Sequence, residues 1–409
     1  MRAEIIATGT ELLSGGVLDT NSLFLSEELL TIGMETLFKT IVGDDEKNIE
    51  EALQRAMQRV DVVIITGGIG PTEDDITRKV IAKVLKRRLL LHEDALKTIQ
   101  AKLAGRDFSV VNDRQALLPA GARILANPVG IAPGFILDED GTFIAVLPGV
   151  PREMEAMFVS GLRPALEERF GGRLFIRRRI LRTCGMSESA INQSIQDILK
   201  SEAPVVGLTA KETGVDIRIV VTESSAERAQ SLMDRTETSV RQKLGDFIFG
   251  LDGQEMEEVV GAMLSQRRLK IAIAESCTGG LISARFTNIA GSSEYFEHGV
   301  VAYSNQAKIE MLGVPGETLE RFGAVSRETA LAMAQGLRRT ARTDLGLSVT
   351  GIAGPGGGSA DKPVGLVYIG LDSAQGAKAV EYKFLGNRQQ VRLKASQMAL
   401  DTVRRYLIV

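Results

Sequence analysis

Short apolar runs that stop at glycine-rich turns recur along the first 170 residues of this chain. Glu4-Ile5-Ile6-Ala7 reads as a strand, and the 3.6-residue spacing from Asn21-Ser22-Leu23 to Ile32 predicts an amphipathic helix. Val60-Asp61-Val62-Val63-Ile64-Ile65 is an apolar run closed by Thr66-Gly67-Gly68, the pattern of a strand buried on both faces. A helix is predicted over Glu73 to Leu85. Phe143 to Leu147 is a later strand, stopped by Pro148-Gly149 before a helix through Met154 and Met157. This alternation predicts βα units around a mostly parallel sheet.

The pattern changes near Gly171-Gly172. Leu174 to Leu181 is strand-like but basic at Arg177-Arg178-Arg179. Ser187 to Leu199 predicts a helix with Ser187 as N-cap. Val205–Thr209 and Val215–Val221 predict a hairpin, and Ala226 to Leu244 a long helix. A small α+β module follows from this, with Gly250-Leu251-Asp252-Gly253 as linker. A third α/β unit starts near Glu255: a helix to Arg267, a strand at Lys270-Ile271-Ala272-Ile273, and a helix from Leu281 to Ile289. Strands near Gly299, Gly346, Gly365 and Val380 follow, and a helix from Arg388 to Tyr406 closes the chain. The expected domains are 1–170, 172–250 and 255–409, all α/β or α+β.

Composition narrows the function. A length of 409 residues implies several domains. A formal charge of -3 and no Trp give no basis for nucleic-acid or anionic-membrane binding. No run reaches membrane-spanning length and the N-terminus lacks a signal-type apolar segment, so a cytoplasmic location is expected. Two cysteines, Cys184 and Cys277, cannot build a disulfide framework, and two histidines, His92 and His298, cannot build a multi-histidine metal site.

The turn Glu275-Ser276-Cys277-Thr278-Gly279-Gly280 leaves a strand and enters a helix. A hydroxyl there would meet the outward N–H groups of the helix start, which can hold an oxyanion. Ser276 is therefore a candidate nucleophile, and an N-cap is the simpler alternative. Cys277 with His298 is a second pairing. Lys308 is a candidate base if burial leaves it partly neutral, and Tyr303 a candidate proton relay or orienting group. Gly354, Gly356 and Gly357 lie in a loop that leaves the same sheet edge and could cradle a phosphate. Arg388 and Arg392 could supply a cation to it, with a solvated charged face the favoured reading for Arg392.

In the first domain, ligand-binding turns are expected at the carboxyl ends of strands. They are Thr8-Gly9-Thr10-Glu11 and the run from Thr66 through Gly67, Gly68, Gly70, Asp74 and Asp75 to Thr77. With Asp19, they suit a phosphate-bearing ligand held partly through Mg²⁺. Clustered Asp at a helix start also suits plain dipole complementation. Gly130–Gly134 and Leu147–Pro151 could close the same pocket or be tight turns only. The middle module could resemble a KH fold, but its helical part lacks the G-x-x-G loop that nucleic-acid recognition needs, so a spacer or dimerisation role is expected.

Three sets of motifs, in this order, make the chain similar to the competence/damage-inducible CinA family over essentially its whole length. They are Gly9 to Leu13 with Asp19-Thr20-Asn21, then Thr66 to Thr77, then Glu275 to Gly280 with Tyr303 to Lys308 and Gly351 to Gly358. The resemblance implies a three-layer molybdopterin-binding-like first domain with metal-dependent ADP-ribose pyrophosphatase activity, using Mg²⁺ or Co²⁺ at Asp75. It implies a KH-type middle module and a C-terminal nicotinamide-nucleotide amidase that needs no cofactor. By motif, Ser276 would be the nucleophile, Lys308 its base and Tyr303 an assistant. Thr278, Gly279, Gly280, Gly354, Gly356, Gly357 and Arg388 would bind nicotinamide mononucleotide. Thr8, Gly9, Glu11, Asn21, Gly67, Gly68, Gly70 and Asp74 would bind ADP-ribose. A homodimer is expected. The chain departs from the family pattern at Ile131, where a threonine is expected. A non-catalytic nucleotide or pterin sensor and a molybdopterin-handling transferase are the alternatives.

Overall fold

The computed structural model describes residues 1–103, 113–171 and 175–408. Gly172 and Leu174, where the sequence places a boundary and a strand start, lie outside them. The chain divides into two compact units, residues 1–177 with 221–231, and residues 178–220 with 232–409.

The first unit is built on a six-stranded sheet in the order Glu35–Val42, Arg2–Thr8, Val62–Thr66, Thr142–Leu147, Gly134–Glu139, Arg123–Leu125. The first four strands pair in parallel and the last two are antiparallel. Every residue of Val62–Thr66 and of Thr142–Leu147 is buried, which is why these strands read as continuous apolar runs. The strand Glu35–Val42 was not anticipated. It lies at the sheet edge and has no fully buried residue, so it lacks an apolar signature.

The helix Thr20–Thr31 starts at Asp19, whose carboxylate accepts from the Ser22 amide at 2.9 Å. Asp19 is therefore an N-cap. The helix expected from Glu73 begins only at Thr77. Asp75 Oδ2 accepts from both Thr72 N (2.8 Å) and Thr72 Oγ1 (2.6 Å), folding residues 72–75 into a turn ahead of the helix.

The middle module, most of whose residues fall in the second unit, is a four-stranded sheet in the order Val205–Lys211, Gly214–Glu223, Phe175–Thr183, Ile248–Leu251. The hairpin Val205–Lys211 with Gly214–Glu223 and the helix Ala226–Leu244 match the sequence pattern. Ser187 caps the helix Glu188–Ser194 by accepting from Ala190 N at 3.3 Å. The proposed linker is corrected: Gly250 and Leu251 belong to the fourth strand, and Asp252 ties back to Ile180 through its amide (2.7 Å) and its carboxylate (2.9 Å).

The C-terminal domain holds a five-stranded sheet in the order Phe296–Val301, Ile271–Glu275, Leu345–Gly351, Leu366–Ser373, Gly376–Lys383. Its first three strands are parallel, so the carboxyl ends of Ile271–Glu275, Phe296–Val301 and Leu345–Gly351 share one edge. The helices Met256–Arg267, Leu281–Thr287 and Arg388–Ile408 cover one face, with Val260, Leu264, Phe286, Val391, Ala395, Leu400 and Val403 packed into the core. The helix Arg327–Ala341 covers the other, through Met333 and Leu337.

Candidate active site

Ser276 follows the strand Ile271–Glu275, and its amide donates to Val349 O of the neighbouring strand at 3.0 Å. That bond pins the turn to the sheet edge. The strand Phe296–Val301 leaves the same edge, turns at Tyr303, and enters the helix Asn305–Leu312 capped by Ser304. Lys308 lies one turn into that helix, and its side chain is carried back over the edge. Lys308 Nζ donates to Ser276 Oγ at 3.2 Å, to Ala302 O at 2.9 Å and to Tyr303 O at 3.1 Å. The residue is 1% exposed. Its partners are neutral oxygens, so burial dominates and pulls its pKa below the usual lysine value of 10.5.

The expected oxyanion donors change. The carboxylate of Glu275, fully buried, turns under the helix Leu281–Thr287 and accepts from Gly280 N (3.0 Å), Ile282 N (3.2 Å), Ser283 N (2.9 Å) and Ser283 Oγ (2.7 Å). Gly279 N donates to Ser276 O at 3.1 Å. The helix start is therefore occupied by the protein's own carboxylate, and Gly279 and Gly280 are not free donors. Cys277 and Thr278 precede that start, and neither amide is among the donors that Glu275 accepts from. Gly279 and Gly280 instead supply two consecutive left-handed residues, with φ of +60° and +91°, that bend the chain back over Glu275.

Thr278 is fully buried, and its Oγ1 has no partner among the described residues. Its carbonyl accepts from Arg392 Nε (3.2 Å) and Nη2 (2.7 Å). Arg392, read from sequence as solvated, thus clamps the nucleophile turn from the closing helix. Tyr303 gives Lys308 its carbonyl rather than its ring. The residue is 61% exposed, and its hydroxyl accepts from Arg388 Nη2 at 3.1 Å. Arg388 Nη1 also donates to Gly354 O at 2.8 Å, so one guanidinium ties the glycine loop to Tyr303. Gly356 and Gly357 are exposed, and no atom stands within 4 Å of where a Cβ on Gly356 would lie.

Cys277 is buried and its thiol is pushed up to about 12, chiefly by burial and further by Glu275. His298 is exposed and pairs in register with Ala272, four residues before Ser276. The Cys277–His298 pairing is excluded on distance along the strand.

In the first unit, the turns after Arg2–Thr8, Val62–Thr66 and Thr142–Leu147 meet. Gly67 N donates to Leu147 O at 3.0 Å, and a Cβ at Gly67 would collide with Thr8 O. A Cβ at Gly68, at φ +65°, would collide with Thr77 Oγ1. Thr8 and Asn21 are buried behind these turns. Asn21 Nδ2 donates to Thr66 Oγ1 and to Gly149 O, both at 2.9 Å, and its Oδ1 has no partner among the described residues. Asn21 therefore ties two ligand turns together. Glu11 and Asp74 are exposed, and the Glu11 carboxylate covers the space beside Gly9.

Arg78 was missed from sequence. It is 6% exposed, its Nη2 donates to Gly70 O at 3.0 Å and its Nη1 to Ile69 O, and burial pulls it down to about 10 against the opposing charge of Asp75. Among the described residues, no three His, Cys, Asp or Glu side chains group as metal ligands. Asp75 keeps Oδ1 available beside Gly70, which fits a cation whose shell comes mainly from phosphate and water.

No helix among the described residues is long and apolar enough to cross a membrane. Residues 4–168 match the model of a probable molybdopterin binding domain, residues 178–250 that of the damage-inducible protein CinA KH domain, and residues 253–407 that of the CinA C-terminal domain. A CinA-like protein of Dictyoglomus thermophilum is 43% identical over 411 residues, covering 100% of both chains. A CinA-like protein of Kosmotoga olearia is 43% identical over 412 residues, covering 100% of this chain and 99% of its own. Among solved structures, a competence/damage inducible protein of Agrobacterium tumefaciens is 44% identical, covering 38% of this chain and 94% of its own, with a TM-score of 0.37. With end-to-end relatives at this identity and three domain matches in this order, the chain belongs to the CinA family.

Proposed function

We propose that the C-terminal domain is a serine amidase that deamidates nicotinamide mononucleotide to nicotinic acid mononucleotide and ammonia. The observation that carries this reading is the buried Lys308 amine 3.2 Å from Ser276 Oγ, with no carboxylate among its hydrogen-bond partners. A neutral amine there accepts the serine proton as Oγ attacks the carboxamide carbon. The amides of Cys277 and Thr278 hold the oxyanion, in place of the helix start that Glu275 fills. Lys308 then returns the proton to the departing nitrogen, and ammonia leaves. Water adds to the acyl ester, giving its proton to Lys308, and the acid is released as Ser276 regains a proton. The loop Gly354–Gly358, exposed from Pro355 onward, and Arg388 suit the 5′-phosphate.

For the first unit, the reading is cleavage of ADP-ribose to AMP and ribose 5-phosphate. The converging turns at Thr8-Gly9 and Gly67-Gly68-Ile69-Gly70 would hold the pyrophosphate. Asp75 would hold Mg²⁺ or Co²⁺, which neutralises phosphate charge when bound. The match to a probable molybdopterin binding domain supports a second reading for this unit, pterin binding without hydrolysis. The chain is taken to work in the cytoplasm as a homodimer on small nucleotides.

The test is ammonia release from nicotinamide mononucleotide beside ADP-ribose cleavage with and without metal. Ser276→Ala should lower ammonia release at least about a thousandfold while the protein stays folded. Wild-type turnover in that variant would refute the amidase assignment. Molybdopterin copurifying with the protein, with no ADP-ribose cleavage under either metal, would favour the second reading.

A further inference from the structure

The closing helix Arg388–Ile408 touches the Ser276 site at one end and the middle module at both. Its first turn carries Arg388, on Gly354 O and Tyr303 Oη, and its second carries Arg392, on Thr278 O. Its middle is buried, where Ser396 Oγ and Gln397 Oε1 accept from Arg285 at 2.9 and 2.7 Å. Its last turns sit on the middle module. The Arg405 guanidinium lies 4.9 Å from the Phe247 ring centroid, Arg404 donates to Asp246 O, and Met398 Sδ is 3.5 Å from Cys184 Sγ. Asp401, fully buried, holds Arg404 at 2.7 Å and Arg405 at 2.6 Å.

The module also reaches the other end of the helix. Glu212, at the tip of its hairpin, accepts from Gln390 Nε2 at 3.0 Å. Gln390 Oε1 in turn accepts from Asn387 N at 2.9 Å, beside Arg388. Between these two grips the surfaces part around a cleft of about 290 Å³, lined in part by Lys211, Glu212, Lys394 and Met398. A continuous helix of 21 residues is a stiff rod. A shift of the module is therefore carried to the two arginines at its start.

We propose that the middle module is a positioning element for the Ser276 site: by gripping the closing helix at Gln390 and at Asp401–Arg405, it sets where Arg388 and Arg392 hold the glycine loop and the nucleophile turn. Glu212 and Arg405 are positioning residues in this scheme. The kinetic part of the idea rests on the amidase reading, but the structural part does not. Removing Asp401 would strand two arginines in a buried contact, so the test uses the exposed Glu212 and the half-buried Arg405 instead. Wild type, the double variant Glu212→Ala/Arg405→Ala and the conservative pair Glu212→Gln/Arg405→Lys are compared in the full chain.

Amide hydrogen exchange is read in peptides covering 276–281 and 352–358. The alanine pair should exchange about threefold faster there, the scale of losing exposed polar contacts, and the conservative pair should return toward wild type. With nicotinamide mononucleotide, KM should rise about threefold in the alanine pair while kcat changes less. The proposal is overturned if the two peptides exchange as in wild type, whether or not peptides 210–214 and 400–407 loosen. It is equally overturned if the strand Leu345–Gly351 speeds up as much as the site peptides, since that is general destabilisation. If wild type releases no ammonia, the amidase reading fails, and the exchange result still decides this proposal.

Discussion

Lys308 Nζ stands 3.2 Å from Ser276 Oγ, held between the carbonyls of Ala302 and Tyr303. Burial favours the neutral amine, and neutral amine is the form that can take a proton. Activity should therefore rise with pH through the lowered lysine pKa, with the acid limb of kcat/KM falling below 10.5, the ordinary lysine value. Lys308→Met should lower kcat/KM by about a hundredfold to ten-thousandfold and erase that limb. Stability should follow the same sign. Between the folded and unfolded lysine pKa values the unfolded chain binds more protons, so stability attributable to Lys308 increases as pH rises through that window and is lost below it. Denaturation of wild type and Lys308→Met across the range would show it.

Neither cysteine should behave as a nucleophile. Burial pushes the thiols of Cys184 and Cys277 up to about 12, leaving almost no thiolate near neutrality. Iodoacetamide at pH 8 should leave both unmodified in the folded protein and modify both in urea, as read by intact mass. Ammonia release should survive the native treatment. Rapid native labelling of Cys277 with loss of activity would reopen the thiol as the reacting group.

Glu275 should matter for stability, because its buried carboxylate satisfies four donors at the helix start. Glu275→Gln removes the charge and sets an amide N–H₂ against backbone N–H groups. A loss of about 2 kcal/mol is expected, the scale of hydrogen bonds to a charged group. The check is a lower urea midpoint with an unchanged slope.

The two activities should separate by mutation. Gly68→Ala places a methyl group against Thr77 Oγ1 at a left-handed φ of +65°. Asp75→Ala removes the acceptor of Thr72 N and Oγ1 along with the candidate metal ligand. Both should remove metal-dependent ADP-ribose cleavage at least about a hundredfold in an assay with Mg²⁺ or Co²⁺, while ammonia release stays within about twofold of wild type. Undiminished ADP-ribose cleavage in Asp75→Ala would discount its metal role.

The sequence by itself was enough for the βα alternation of the first unit, the hairpin and long helix of the middle module, and the turn that carries Ser276. Each is a local matter, written in apolar periodicity and in glycines where the chain must bend. It also named Ser276 and Lys308 together through the motif resemblance. The edge strand Glu35–Val42 escaped because a strand exposed on both faces carries no apolar period. Only the tertiary structure decided what each polar side chain touches. It gave the helix start to Glu275 instead of an oxyanion, the Thr278 carbonyl to Arg392, the Tyr303 hydroxyl to Arg388 and the Ile69-Gly70 turn to Arg78. These pairings join residues up to 114 positions apart. A buried charge takes whichever partners the packed chain brings within about 3 Å, and that choice leaves no periodic trace in the sequence.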